Sequence, residues 1–561
     1  MQPEALAPFD LPGVAARRST PQQHNTRHYS HIVRGNQTSM PPATSHASKK
    51  RKVYDTTQLD VAATKAAQVI DILIPNEFCH SSAWENRPEV FKLASARTEL
   101  LSALFDASTL RKVVKELEKH DPLEFGRDLN AARYIDGKRE TPNAQVADSK
   151  TVWGLYRDGC TLQVHQPQRF QKDLAGVCSG LEQRLGCLVG INAYLTPPGT
   201  QGLAPHHDDV DIFVCQTEGS KRWRLYNPRK GFALPAQPSG DLPEDTLGDP
   251  VMDVTLQVGD VLYMPRGTVH QAVAQQDAST HLTISTYQNF SVGTLAQAVL
   301  HSAMQGQEEP LCLPLSLRRG LPPGFLYSHG YQADKMRDLR KRPAAPTTPP
   351  QGDDASGQSL AQQVAAGLRE LADKVEAQPE LISKAADLMS LDFMDSRAPP
   401  SEACLAAAGS EPTLKDALVC RAATAFRLVP FNPPEADPRV PLVKVISSLG
   451  NSIEDHMMGE QREEEEGEGE DEEEDEGQAD LVFPASYSLA LVQLLCAESV
   501  AVNVKDIKLD GVETKLDLAV TLWKEGIVAV QPQPSKNPGK KKLFGQPGSA
   551  WPDGCAIFEM C

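Results

Sequence analysis

A chain of 561 residues, 40% apolar and 23% charged, is long enough for two to four domains with filled cores. No apolar run reaches the length of a membrane span. Eleven cysteines placed singly, with no Cys-x-x-Cys, argue against a disulfide framework or a zinc ribbon and for a reducing compartment. Of the formal net charge of −18, the run Glu460 to Glu476, thirteen acids and one arginine, carries −12 and leaves about −6 elsewhere, which disfavours tight binding to bare DNA.

Residues 1–60 are rich in Pro, Gln, Ser, Thr and His. They lack the hydrophobics to close a core and are expected to be disordered. Within them Ser48-Lys49-Lys50-Arg51-Lys52-Val53 reads as a nuclear import signal, with a solvated basic patch as the plainer reading, and Arg17 and Arg18 leave an organelle transit peptide as a runner-up. From 61 to 190 helical periodicity alternates with loops, as in 98–104 and 110–117. Between Gly190 and Tyr287 the pattern changes to short β-rich runs: Ile191 to Leu195, Asp209 to Gln216, Arg222 to Tyr226, Val251 to Val258, Val261 to Met264 and His281 to Tyr287. Regular short strands with turn signals indicate a barrel or sandwich. After about 295 the chain reads as helical again, breaks at the linker-like 341–354, and resumes with an amphipathic helix over Ala361 to Val375. Beyond the acidic run, which reads as a solvated insertion or a lure for basic proteins, come helices near Ala485 to Cys496 and Lys515 to Glu525, then a strand from Ile527 to Val530. That order suits a winged helix, although Asp517 and Glu525 beside Lys515 and Lys524 match phosphate binding poorly.

Two motifs carry chemistry. In His206-His207-Asp208, positions i and i+2 of an extended chain send His206 and Asp208 from the same face. A third ligand is available in Gly259-Asp-Val-Leu-Tyr-Met-Pro-Arg-Gly-Thr-Val-His270, where a Pro-x-Gly turn reverses the chain and starts the next strand with a histidine. Two imidazoles and a carboxylate leave open positions on one ion, as in non-haem Fe(II) oxygenases. The second motif has the spacing found in cupin-type double-stranded β-helix barrels.

The segment Val214 to Tyr226 reads as a hairpin turning at Glu218-Gly219. Alternation puts Lys221 on one face with Trp223 and Leu225. A lysine there is either snorkelling at the surface or meeting an anion, such as the distal carboxylate of a dicarboxylate co-substrate. Likewise His281-Leu-Thr283-Ile-Ser285 and the pair Asn192 and Tyr194 turn polar groups to one side, for the cavity or for ordinary core hydrogen bonding.

Thr196 to Val214, Glu218 to Tyr226, Tyr263 to Gln271 and Leu282 to Gln288, more faintly Trp84-Glu-Asn-Arg-Pro88 and Leu317 to Pro322, resemble the JmjC-type ribosomal oxygenases, nucleolar histidyl hydroxylases also described as histone lysine demethylases. The resemblance is dense from 190 to 290 and holds only in outline in the C-terminal half. It implies a mixed α+β chain with a double-stranded β-helix (jelly-roll, cupin/JmjC) catalytic domain over 61–300, a helical dimerisation domain over 301–410, and a winged-helix-like domain over 411–561 carrying the acidic insertion 460–477. It further implies His206, Asp208 and His270 as Fe(II) ligands, Lys221 as the clamp for the co-substrate 2-oxoglutarate, and Asn192, Tyr194 and Ser285 around co-substrate and target. The target it implies is a basic protein, ribosomal or histone H3, met by a nuclear homodimer with no membrane and no sequence-specific nucleic acid involved. At His207, where the family pattern usually has Tyr, an extra imidazole sits between two ligands and can alter substrate fit or compete for the metal. The rival readings are a non-catalytic chromatin or pre-ribosome scaffold and a cupin isomerase or storage barrel with the same ligands.

Overall fold

The computed structural model describes residues 56–92, 95–286, 290–305, 313–321, 325, 330–331, 335, 359–400, 409–431, 433, 437, 439–457, 481–495 and 501–531. The basic segment 48–53, the linker-like 341–354 and the acidic run 460–477 lie outside them. No helix among the described residues is long and apolar enough to cross a membrane.

The stretch 61–190, expected to be helix and loop, is helical only in part. Helices α1 (Thr56–Leu73), α2 (Ser95–Ser102), α3 (Ala107–Leu117), α4 (Ser149–Arg157) and α5 (Lys172–Leu185) alternate with strands β1 (Glu89–Phe91), β2 (Leu129–Ile135), β3 (Lys138–Glu140) and β4 (Thr161–His165). Helices α3 and α4 start where Asp106 and Asp148 accept the backbone N–H of Thr109 and Thr151, at 2.7 and 2.6 Å. Helix α5 stops at Gly186, which is left-handed at φ 67°. The four strands escaped the sequence reading because β1 and β3 have three residues each, while β2 and β4 are short and lack a clean alternation of buried and open positions.

Seven strands follow: β5 (Gly190–Thr196), β6 (Asp211–Glu218), β7 (Lys221–Tyr226), β8 (Met252–Leu256), β9 (Val261–Met264), β10 (Val269–Ala274) and β11 (Ser279–Thr286). They complete an eight-stranded sheet, β1-β9-β6-β11-β5-β4-β2-β3, and a three-stranded one, β10-β7-β8. The chain passes repeatedly between the two, the weave of a jelly roll. Period-two alternation gives the large sheet two apolar faces. Its outer face, with Ile191, Ala193, Leu195, Phe213, Tyr263, Leu282 and Ile284, packs with α1, α3, α4 and α5 into one core. Its inner face sets Ile212, Val214, Leu262 and Met264 against Trp223, Leu225 and Leu256 of the small sheet.

The β6–β7 hairpin turns at Gly219, φ 62°, where a Cβ would fall on the carbonyl oxygen of Ala278. Only glycine fits there.

Helix α6 (Val292–Gln305) runs across the expected boundary at 300/301 and packs along the helix Glu380–Ser396. The helix Leu360–Ala377 begins at a capping box between Ser359 and Gln362. The C-terminal region holds more strand than its sequence suggested. β12 (Ala417–Cys420), β13 (Phe426–Phe431), β14 (Leu442–Ser447), β15 (Leu481–Pro484), β16 (Val502–Asn503) and β17 (Val528–Val530) form two three-stranded sheets, β16-β12-β17 and β13-β14-β15. The helices Ser488–Leu495 and Val512–Lys524 share one core with them. Local periodicity was read there only near the helices, whereas β13 and β14 are fixed by pairing with each other over six residues.

Candidate metal centre

Backbone pairing assembles the site. His206 and His270 form an isolated antiparallel bridge, with His206 N–H donating to the His270 carbonyl at 3.2 Å and His270 N–H to that of His206 at 2.8 Å. The turn before β10 is closed by Thr268 N–H on the Pro265 carbonyl at 3.1 Å, and Gly267 N–H donates to the Asp208 carbonyl at 2.9 Å. The ligand segment 206–208 is an extended lead-in to β6, which begins at Asp211 rather than at Asp209 as expected.

Each imidazole is oriented by a carbonyl. Nδ1 of His206 donates to Ala204 O at 2.8 Å and Nδ1 of His270 to Thr268 O at 3.0 Å. A carbonyl only accepts, so the proton is on Nδ1 and each Nε2 presents its lone pair. These Nε2 atoms stand 3.9 and 3.7 Å from the two Asp208 oxygens, and the three ligand atoms lie within 4.8 Å of one another. Burial, helped by the neighbouring His206, pushes the His270 pKa down to about 4, keeping it in the neutral form that binds metal. This donor set fits a divalent iron with positions to spare.

The same cavity is lined by Tyr194, Lys221, Trp223, His281 and Thr283. Lys221 is 5% exposed, donates to Thr196 Oγ1 at 3.0 Å, and has no carboxylate partner among the described residues. Burial lowers its pKa to about 7. Register sets the spacing: His270 pairs with Leu225, and Lys221 with Ala274. The lysine is thus four residues along β7, about 13 Å of strand, from the position opposite the metal ligand. Tyr194 stacks flat on His281, centroids 4.9 Å apart. Asn192 and Ser285 share the strand faces of Tyr194 and His281, but neither lines this cavity; from β11 the wall takes His281 and Thr283 instead. His207 is buried and held by the backbone of Gln237 and by Ser239. It does not join the converging ligand atoms.

A buried charge network missed in the sequence braces the turn. Asp211, fully buried, accepts from Arg266 Nη1 at 2.8 Å and from Arg266 N at 3.1 Å, and Arg266 Nη1 also reaches Glu85 at 2.6 Å. The Glu85 N–H donates to Tyr263 Oη at 2.8 Å, and Trp84 stacks on the Tyr263 ring at 5.4 Å. Trp84 and Glu85, noticed only as part of a motif, thereby clamp the turn that delivers His270. Arg266→Met leaves Asp211 buried and unpaired, and is expected to cost about 3–5 kcal/mol of stability in urea unfolding.

A second grouping, Cys178, Glu182 and His456, is wholly buried. Glu182 accepts from His456 Nε2 at 2.8 Å, Val189 N at 3.2 Å and Ala398 N at 2.8 Å, while the Cys178 thiol donates to Val189 O at 3.0 Å. Its ligand atoms are already engaged, which makes it a clasp between α5 and the C-terminal region rather than a second open centre.

A jelly-roll barrel with two imidazoles and a carboxylate around one point, and a buried lysine deeper in, defines a cupin-type metalloenzyme. Comparison with known proteins narrows the class. The JmjC domain model matches residues 163–294. The "Ribosomal oxygenase 2" of Rattus norvegicus is 34% identical over 462 residues, covering 80% of this chain and 87% of the relative. The "Bifunctional lysine-specific demethylase and histidyl-hydroxylase NO66" of Drosophila grimshawi is 40% identical over 276 residues, 48% of this chain and 37% of that protein. Among solved structures E. coli ycfD aligns over 82% of this chain and 99% of its own at 17% identity and a TM-score of 0.40, too low to add to the assignment. The chain belongs to the JmjC ribosomal oxygenase family.

Proposed function

We propose that the protein is an Fe(II)- and 2-oxoglutarate-dependent oxygenase that hydroxylates a histidine of a ribosomal protein, with His206, Asp208 and His270 as iron ligands and Lys221 as the clamp on the distal carboxylate of 2-oxoglutarate. The observation that carries this is a buried lysine without an anion in the same cavity as a two-histidine, one-carboxylate set. A scaffold, an isomerase or a storage barrel has no use for that cation. Bound iron with 2-oxoglutarate and dioxygen supplies the oxidant that turns a C–H of the target into C–OH, with succinate and CO2 released. The chain's part is to orient: carbonyls fix the imidazoles, Lys221 and Thr196 hold the distal carboxylate, and Asn192, Tyr194 and Ser285 face the target. The helices after 305 supply a homodimer interface, and the C-terminal sheets and helices a winged-helix-like module for protein contact. A nuclear location and a basic target complete the reading.

The test is mass spectrometry of acid-extracted ribosomal proteins and histones incubated with the protein, Fe(II) and 2-oxoglutarate. A gain of 16 Da on one histidine is expected. A change confined to lysine methylation would transfer the same site to demethylation of a target such as histone H3, and no succinate at all would end the oxygenase reading.

A further inference from the structure

A chain of side-chain amides and one imidazole runs behind the cavity wall, and backbone groups fix its direction at two points. Asn143 Oδ1 accepts the backbone N–H of Ala131 at 2.9 Å. Its amide is therefore not free to flip, and Nδ2 donates to Asn130 Oδ1 at 2.7 Å. Asn130 Nδ2 in turn donates to His165 Nε2 at 2.9 Å. With Nε2 accepting, the His165 proton sits on the other ring nitrogen, and that ring donates to Asn192. Asn192 Oδ1 also faces the backbone N–H of Gln166 at 3.4 Å, so both constraints assign the same orientation. Its Nδ2 then donates to the Tyr194 hydroxyl, which also accepts from Gln163 Nε2 at 3.1 Å.

The consequence appears at Tyr194. Its oxygen accepts two N–H groups, and a phenol has one hydrogen to give. Burial, with Asp208 adding to it, holds the Tyr194 pKa far above neutrality, so that hydrogen is always present. We infer that His165, with Asn130 and Asn143 behind it, is a positioning residue that sets Tyr194 as a fixed, outward hydrogen-bond donor to the target in the oxidation cavity. The polar link starts at Asn143, exposed on the surface, and ends on a residue of the cavity wall. If the chain ran the other way, Tyr194 would have to spend its hydrogen on Asn192 and would offer the target only an acceptor. Burial keeps His165 neutral by lowering its pKa, which maintains the one acceptor the chain requires.

This inference rests on the oxygenase reading, and its test separates the two. Acid-extracted ribosomal proteins serve as the probe, and both succinate and the 16 Da product are counted. His165→Phe removes the donor to Asn192, and Asn143→Asp removes the first donor of the chain at an exposed position that folding tolerates. Both are expected to lower product per succinate about 5- to 10-fold and to leave the KM for 2-oxoglutarate within twofold. Tyr194→Phe should show the same loss, and His165→Phe added to it should lower the ratio no further. A purely structural role predicts instead that the two losses multiply, and that result overturns the inference, as does an unchanged ratio in Asn143→Asp and His165→Phe. Wild-type protein that forms no succinate would overturn the oxygenase reading, and the inference with it.

Discussion

Asp208→Ala is expected to lower succinate formation at least about 10^3-fold, equivalent to about 4 kcal/mol of barrier, while leaving the fold in place. The two effects separate because the residue holds its neighbours and its metal with different atoms. The backbone carbonyl of Asp208 takes the Gly267 N–H and secures the turn, and alanine keeps that bond. The carboxylate faces the two imidazoles and is the only negative charge among the three ligand groups. Without it two neutral nitrogens remain, too few to hold a hard divalent ion with open positions. The checks are succinate release, iron content after dialysis, and a urea midpoint within about 0.5 kcal/mol of wild type, as for surface changes that break no network. Wild-type succinate from Asp208→Ala would remove Asp208 from the ligand set.

Lys221→Met should act in opposite directions on stability and on co-substrate binding. Without a keto acid the ammonium is buried against a single hydroxyl, so an apolar side chain of similar length is expected to stabilise the free protein by about 1–3 kcal/mol. Affinity for 2-oxoglutarate should fall by about 2–5 kcal/mol, roughly 30- to 5,000-fold. The pH dependence follows from the same burial. With a folded pKa of about 7 against about 10.4 in the unfolded chain, the unfolded state binds more protons between those values. Stability of the free protein therefore rises as pH goes up through that window, and the cost is fully present below it. Lys221→Met should lack this rise. At pH 8 wild-type protein should take up a proton as it binds 2-oxoglutarate, seen by calorimetry in buffers of different ionisation enthalpy. Equal affinity in the two proteins would exclude Lys221 as the clamp.

Sequence made the barrel legible because its signals are local. The hairpin at Gly219, the turn at Gly267 and the His-x-Asp spacing are each set within a dozen residues, and register then follows from alternation. The face of β7 was readable for the same reason, with Lys221, Trp223 and Leu225 buried together. The rest depends on partners distant in the chain. Arg266 reads as one residue of a turn until Glu85 and Asp211 are brought to it, and His165 gains a role only when β4 pairs with β5. Choosing among Ser285, Thr283 and His281 needed the curvature of β11, since strict alternation puts all three on one side. Strands β2 and β4 lie in a region whose helices dominate the periodicity, and β13 and β14 between longer segments of uncertain reading.

The clasp of Glu182 with His456 and the Ala398 backbone bears on how far the barrel is portable. Cutting the chain after α6 would take away two of the donors on a carboxylate that has no route to water, and excising the C-terminal half would strand that charge inside the catalytic half. A barrel freed in this way would have to neutralise or hydrate Glu182 by loosening α5, the helix that roofs the outer face of the sheet. The two halves of the molecule are therefore bound to inherit each other: a lineage can lengthen the loops between them, but it cannot shed the second half and keep the first unaltered.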